Sequence, residues 1–266
     1  METLHIVLLA LIQGITEFLP ISSSGHLLLP KALLGWPDQG LAFDVAVHVG
    51  TLTAIVLYFR DDLWQMTRDW SRQVVARAPA TENSRLAWLL ILATLPAAVC
   101  GLVFDGFIEE HLRSTLVIAL TTLIFGIALG WADWRGGRAR TIADITWKAA
   151  LLIGLAQALA LIPGTSRSGI TITAALLLGF TRTDSARFSF LMSVPVIALS
   201  GGYKALQLVM QQEPAPWMEL LIGAALAGVS AFVVVHYFMQ YISRLGMMPF
   251  AVYRLILGGV LLLIAL

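Results

Sequence analysis

Charge is scarce in this chain of 266 residues. Only 12% of them are Asp, Glu, Lys or Arg, against 58% hydrophobic residues. A soluble domain carries roughly 25% charged and about 45–50% apolar residues. With a mean hydropathy of +0.83, a soluble fold of this length could not hide its apolar surface. Composition therefore points to one integral membrane domain over 1–266. It also excludes intrinsic disorder, and a net charge of +1 gives no case for nucleic-acid binding. Cysteine is almost absent. Cys100 stands alone in an apolar run, which rules out an intrachain disulfide and suits a small core residue. The opening Met-Glu-Thr-Leu-His lacks basic residues, and the apolar sequence behind it leads to no small-residue cleavage site, so no removed signal peptide is expected. Zinc-ligand spacings and dinucleotide fingerprints are missing as well.

What is present is apolar sequence in membrane-sized pieces. A spanning helix needs about 20 mostly apolar residues. Six stretches qualify: 42–60, 86–104, 114–132, 187–209, 217–242 and 249–266. Two more apolar regions, 3–36 and 147–180, are interrupted by Pro, Gly and hydroxyl clusters. The first interruption is Phe-Leu-Pro-Ile-Ser-Ser-Ser-Gly-His at 18–26, and the second is Leu-Ile-Pro-Gly-Thr-Ser-Arg-Ser-Gly at 161–169. Their arms of about 15 residues cannot cross about 30 Å of hydrocarbon at 1.5 Å per residue. Each region is expected to be a re-entrant helical hairpin, since broken backbone at depth needs protein or a wet cavity around it.

The two regions also resemble one another. Gln13 stands two residues into Leu-Ile-Gln-Gly, as Gln157 does in Leu-Ala-Gln-Ala, and the Pro and Gly positions match within one residue. The chain then parses as a hairpin and three spans, twice: 1–134 with hairpin 3–36, and 145–266 with hairpin 147–180. Three spans per half place the halves in opposite orientations, an inverted-topology repeat whose hairpin tips meet near the midplane. The expected fold is all-α, with six transmembrane helices and two re-entrant hairpins. Basic residues agree with it. Arg60, Arg68, Arg72, Arg77, Arg85, Arg135, Arg138, Arg140, Lys148, Arg182, Arg187 and Arg244 fall on one side, and Lys31, Arg113 and Lys204 on the other. Twelve against three makes the first side cytoplasmic. The acidic loop with Asp105, Glu109 and Glu110 is then external, and the first hairpin enters from outside.

Few ionisable groups remain at membrane depth: Glu17, Asp44, Arg167 and Arg254. Such groups are costly in lipid and mark function by default. In the first hairpin Gln13 and Glu17 share a helix face. Ser22, Ser23 and Ser24 can cap the next helix, whose N-terminus is an anion seat. His26 falls on its first turn, and serine with histidine is a nucleophile-and-base pairing. In the second hairpin Arg167 sits among Thr165, Ser166, Ser168 and Thr171, a set suited to phosphate oxygens. Arg167 and Glu17 are complementary in charge, as an ion pair or as parts of one site. Asp44 and His48 are either partners of that site or a local helix pair. Arg254 either faces the site or snorkels to an interface. Seven tryptophans, Trp64, Trp70, Trp88, Trp131, Trp134, Trp147 and Trp217, fall near span ends as interface anchors. His236 reads as part of an ordinary span face.

The segments at 13–26 and 163–171 resemble the two signatures of the bacterial undecaprenyl-pyrophosphate phosphatase family of the bacitracin-resistance type. The likeness continues through 43–50, 187–195 and 249–254. It implies hydrolysis of undecaprenyl pyrophosphate (C55-PP) to undecaprenyl phosphate and inorganic phosphate, recycling the lipid carrier for peptidoglycan and conferring bacitracin resistance. It also implies a divalent cation (Mg2+ or Ca2+), a prenyl pyrophosphate substrate drawn from membrane lipid, and a bacterial inner-membrane location with the site on the outer, periplasmic side. A homodimer stays open. Carried onto this sequence, the catalytic residues are Glu17, Ser23, His26 and Arg167, with Glu17 as metal ligand. Gln13, Ser22, Ser24, Ser166, Ser168 and Thr171 would bind substrate. Ser23 is the expected nucleophile or phosphate ligand, activated by His26, with His26 or water as competing attackers. Gln13 replaces a Glu that many members carry, which removes a second carboxylate, and His48 stands where some carry Gln. The rival class is a transporter of undecaprenyl phosphate or another anionic lipid, since inverted repeats with broken helices are also transporter architecture.

Overall fold

The structure, a computed structural model, describes residues 2–36, 40–211 and 216–266. Lys31 and Glu109, both placed outside by the charge pattern, have side chains beyond the described part. Among the described residues the chain is helical, with no named strand. The elements are α1 (Thr3–Thr16), α2 (Ser23–Leu34), α3 (Gly40–Tyr58), α4 (Arg60–Val75), α5 (Glu82–His111), α6 (Thr115–Trp134), α7 (Trp147–Ala158), α8 (Arg167–Leu177), α9 (Arg182–Gln211), α10 (Trp217–Leu245) and α11 (Met248–Ala265).

Six of these, α3, α5, α6, α9, α10 and α11, are long and apolar enough to cross a bilayer. They match the six stretches expected from sequence, with ends moved by a few residues. In each apolar window only 22–39% of residues are buried within the protein. The rest, such as Leu102, Ile124, Val229 and Leu263, point outward. That much exposed apolar surface is stable only against lipid, so this is a multi-pass membrane protein. Polar caps start the helices: Thr81 accepts from Ser84 N on α5, Ser114 from Val117 N on α6, and Thr146 from Ala149 N on α7.

α1 and α2 are short and joined by the turn 17–22; α7 and α8 are short and joined through 159–166. At 14 and 12 residues, α1 and α2 reach only about 21 and 18 Å at 1.5 Å per residue. α1 packs on α10, and α7 packs on α5. Both crossings use a glycine. A Cβ on Gly14 would meet Ala227 Cα of α10 at 3.0 Å, and one on Gly154 would meet Ala93 Cα of α5 at 2.8 Å. α3 lies along α10, and α6 along α11. The main core fills the space beneath the turns, where Phe18 meets Phe190 edge to face at 5.5 Å.

One element was not foreseen. α4 is mostly polar, with six charged residues among its 16, so apolar run length passes over it. It forms because Leu63, Met66 and Trp70 make a stripe against α5, where Trp70 meets Trp88 at 5.6 Å. The same end of the molecule holds two ion clusters. Asp133, 3% exposed, takes Arg182 in a bidentate pair at 2.7 and 3.0 Å and lies 3.2 Å from Arg138. Arg187 pairs with Asp62 at 2.7 Å.

Candidate active site between two helix-breaking turns

The two turns share one local design, 144 residues apart. Ser22 and Ser166 precede α2 and α8 with φ of +74° and +67°. Each accepts from a glycine N–H three residues on, Gly25 at 3.4 Å and Gly169 at 3.2 Å. Each hydroxyl also contacts the serine two residues on, Ser24 at 3.2 Å and Ser168 at 3.3 Å. Positive φ is costly for a non-glycine residue, and such strain persists where surrounding structure enforces it. Here the cap bond and the partner turn enforce it.

The turns clasp each other. Gly164 N donates to Ser24 Oγ at 3.1 Å, and Ser168 Oγ donates to the Leu19 carbonyl at 2.9 Å. Gly164, at φ +89°, is required: a Cβ there would meet the Ile118 Cα of α6 at 2.9 Å. The third tie is ionic. Arg167 Nη2 donates to Glu17 Oε1 at 3.2 Å, with the side chains 12% and 8% exposed. Arg167 also lies over the Phe18 ring at 5.8 Å.

Glu17 is the hub. Its Oε2 accepts from Gln13 Nε2 at 2.9 Å and from Ser23 Oγ at 3.1 Å. A carboxylate with three donors is held in one orientation. The hydroxyl of Ser23 is thus paired with Glu17 and not with His26, which departs from the expected Ser23–His26 pairing. His26 turns elsewhere because its Nδ1 lies 2.7 Å from the Ser22 carbonyl and its Nε2 lies 2.6 Å from the Tyr253 hydroxyl. A carbonyl only accepts, so Nδ1 carries the proton and the neutral ring presents a bare Nε2 to Tyr253.

Arg254 does not snorkel. It is 0% exposed, on α11, and its guanidinium donates to the Thr122 and Gly164 carbonyls at 3.2 and 3.0 Å. Its Nη1 has no partner among the described residues, and a Cβ on Gly169 would lie 2.9 Å from it. Arg167 Nη1 and Thr165 Oγ1 are also buried without partners among the described residues. Unpaired buried donors are rare and costly. Three of them around the N-terminus of α8 make a setting that an anion completes. Thr171 is placed differently from the expectation of a substrate ligand. Its hydroxyl is occupied by the Arg167 carbonyl at 2.8 Å and by Ser189 at 2.7 Å, fully buried, so it braces α8.

Among the described residues no three His, Cys, Asp or Glu gather as a metal site. His48, on α3, lies 3.3 Å from Gln13 Nε2 and 3.9 Å from Glu17, so it belongs to the site. Tyr253, paired with His26, was not singled out by sequence reasoning as a site residue; it stands next to Arg254, but nothing in a one-dimensional pattern links it to position 26. His236 contacts only the aromatic rings of Tyr58 and Tyr237 among the described ring contacts.

The sequence profile of the family described as Bacitracin resistance protein BacA matches residues 6–260. A protein of Teredinibacter turnerae named undecaprenyl-diphosphatase is 61% identical over 265 residues, covering 100% of both chains. Proteins of the same name from Saccharophagus degradans and Campylobacter curvus are 57% and 55% identical, covering 97% and 99% of each chain. A profile match over nearly the whole length, with relatives this similar end to end, places the chain in the BacA bacitracin-resistance family.

Proposed function

We propose that this chain hydrolyses undecaprenyl diphosphate to undecaprenyl phosphate and inorganic phosphate, at the bacterial inner membrane, with the site opening outward. The observation that carries the reading is the single hydrogen-bonded chain from Ser23 through Glu17 to Arg167 across the two turns. It sets a hydroxyl on a fixed carboxylate beside unpaired guanidinium donors. Arg167, Arg254 and the α8 N-terminus hold the diphosphate, and their charge stabilisation grows as the leaving phosphate gains charge. Glu17 Oε2 takes the Ser23 proton. Ser23 Oγ bonds to the terminal phosphorus, and the bridging P–O bond breaks with its electron pair leaving on undecaprenyl phosphate. Water then cleaves the phosphoserine to free phosphate and serine. A second reading, attack by His26, has its own support in the bare Nε2 facing Tyr253.

A divalent cation suits the residues present. Magnesium is commonly held by one or two carboxylates plus substrate phosphates. Glu17 supplies one carboxylate, already held in place by Gln13 and Ser23. Glu17 would hold the ion with phosphate oxygens, and it would neutralise charge on the transferring group.

The same reading includes an inverted repeat with re-entrant hairpins. It draws support from the matched turns and from the paired packing of α1 on α10 and α7 on α5. The prenyl tail then lies in lipid beside the turns. The transporter class is less favoured, because anion passage does not call for a hydroxyl seated on a carboxylate. The deciding measurement is phosphate release by purified protein from a prenyl diphosphate, together with acid-stable phosphoserine in trapped enzyme. Label lost with Ser23→Ala supports the serine route. Acid-labile label that survives that change supports His26. Lipid movement in liposomes without phosphate release defeats the enzyme reading.

A further inference from the structure

One member of the Glu17 network has no task in the scheme above. His48 stands on α3, apart from both turns, yet its ring meets Gln13. Its protonation pattern follows from its neighbours. Nδ1 lies 2.7 Å from the Asp44 backbone carbonyl, which can only accept. The proton is therefore on Nδ1, and in the neutral ring Nε2 is a lone pair. Gln13 Nε2, 3.3 Å away, donates one proton to it and the other to Glu17 Oε2 at 2.9 Å. The reversed amide would set its oxygen against the His48 lone pair and against the Glu17 carboxylate. Gln13 is 0% exposed, so water could not relieve either clash. His48 thereby dictates which way the amide points, and the amide dictates where Glu17 Oε2 sits. That same oxygen accepts from Ser23. Gln13 Oε1, buried and without a partner among the described residues, is what this orientation leaves behind.

We propose that His48 is a positioning residue for phosphoryl transfer: as a hydrogen-bond acceptor it locks the Gln13 amide and so keeps Glu17 Oε2 on the Ser23 hydroxyl. The proposal rests on the phosphatase reading. It separates two duties. Substrate holding belongs to Arg167 and Arg254, and proton acceptance from Ser23 depends on His48 at one remove.

The test uses the full chain purified in detergent, with phosphate release from a prenyl diphosphate as the readout. His48→Leu removes the acceptor. It lowers kcat by about 10- to 100-fold, the scale of a misplaced reacting group, and leaves KM within about twofold because binding contacts are intact. His48→Gln offers a side-chain carbonyl to the Gln13 amide, and restores kcat to within about threefold of wild type. Gln13→Leu lowers kcat too, and adding His48→Leu to it lowers kcat no further, because the two act in series. Loss of kcat and KM together, failure of His48→Gln to rescue, or multiplicative losses in the double variant each overturn the proposal. If His48→Leu does not purify as folded protein, His48→Lys replaces it: an ammonium only donates, so kcat must fall where His48→Gln keeps it. Active wild type with indifferent His48 variants overturns this proposal alone. Wild type that releases no phosphate overturns the phosphatase reading and this proposal with it.

Discussion

Gly169→Ala adds one methyl group where helix propensity and the site make opposite demands. The added Cβ would lie 2.9 Å from Arg254 Nη1 and 3.1 Å from Ser166 Oγ, whereas ordinary contact begins at 3.4 Å. The guanidinium nitrogen must retreat by about 0.5 Å (3.4 − 2.9) to regain ordinary contact. It cannot swing aside freely, because Nε and Nη2 are bonded to the Thr122 and Gly164 carbonyls. Alanine in a helix gains roughly 0.5–1 kcal/mol over glycine, and overpacking costs about 1–3 kcal/mol. The two offset, so Tm should shift by only a few degrees, at roughly 2–4 °C per kcal/mol for a chain of this size. Activity should not be spared. A reacting group or its electrostatic partner displaced by part of an ångström lowers kcat/KM by about 10- to 100-fold. Phosphate release and thermal unfolding measured on one preparation test both halves. Wild-type turnover in folded Gly169→Ala protein would refute the placement of Arg254 and Ser166 at the phosphate.

Arg167→Ala should abolish phosphate release while the protein still elutes as a folded monodisperse species; near-normal turnover in detergent would remove Arg167 from the site. The change leaves Glu17 without its ionic partner, and breaking a buried pair costs about 3–5 kcal/mol, so a lower Tm should accompany the loss. Asp133→Asn should lower thermal stability by roughly 3 kcal/mol, the lower end for a paired group whose arginines are partly exposed, yet leave kcat of the folded protein near wild type. An unchanged Tm would show that the Asp133–Arg182 pair is not holding α6 to α9. At the exposed turn 142–144, the Thr141 backbone N–H and hydroxyl hold the Asp144 carboxyl below its usual range. Its folded-state value is depressed, so its contribution is present above the unfolded value near 3.8 and is lost as pH falls through the folded value. The protection factor of the Thr141 amide, its exchange relative to the intrinsic rate at the same pH, should therefore fall in acid, and Asp144→Asn should remove that pH dependence.

The six spanning helices were legible because hydrocarbon thickness imposes a length and a composition on any segment that crosses it. Asp133, with Arg138 and Arg182 gathered on it, shows the limit of charge patterning. The pattern assigns both arginines to one side, but only the tertiary fold brings Arg138, Arg182 at the start of α9 and the Met247 N–H of the α10–α11 turn to one carboxylate at the end of α6. α4 escaped notice because its α5-facing residues Leu63, Met66 and Trp70 are spread about one per turn through a polar stretch, a signal that hydropathy averaging erases.

Within the site the division is similar. Which residues are polar at membrane depth was decided by the sequence: Gln13, Glu17, the serines and Arg167 stand out because lipid tolerates few such groups. Who bonds whom was decided by the tertiary structure. Ser23 and His26, three residues apart on one helix, look like partners. Yet the imidazole is drawn to Tyr253 from α11, and the hydroxyl is drawn to Glu17 across the turn. Arg254 and His48 carry no local mark that separates a site residue from a snorkelling or helix-pairing one. Only the close packing of α11 on α6 and of α1 near α3 brings them within hydrogen-bond reach. Hydrogen bonds act over about 3 Å, and the chain fixes distances that small only between near neighbours, so contacts across 35 to 150 residues were settled by how the helices pack.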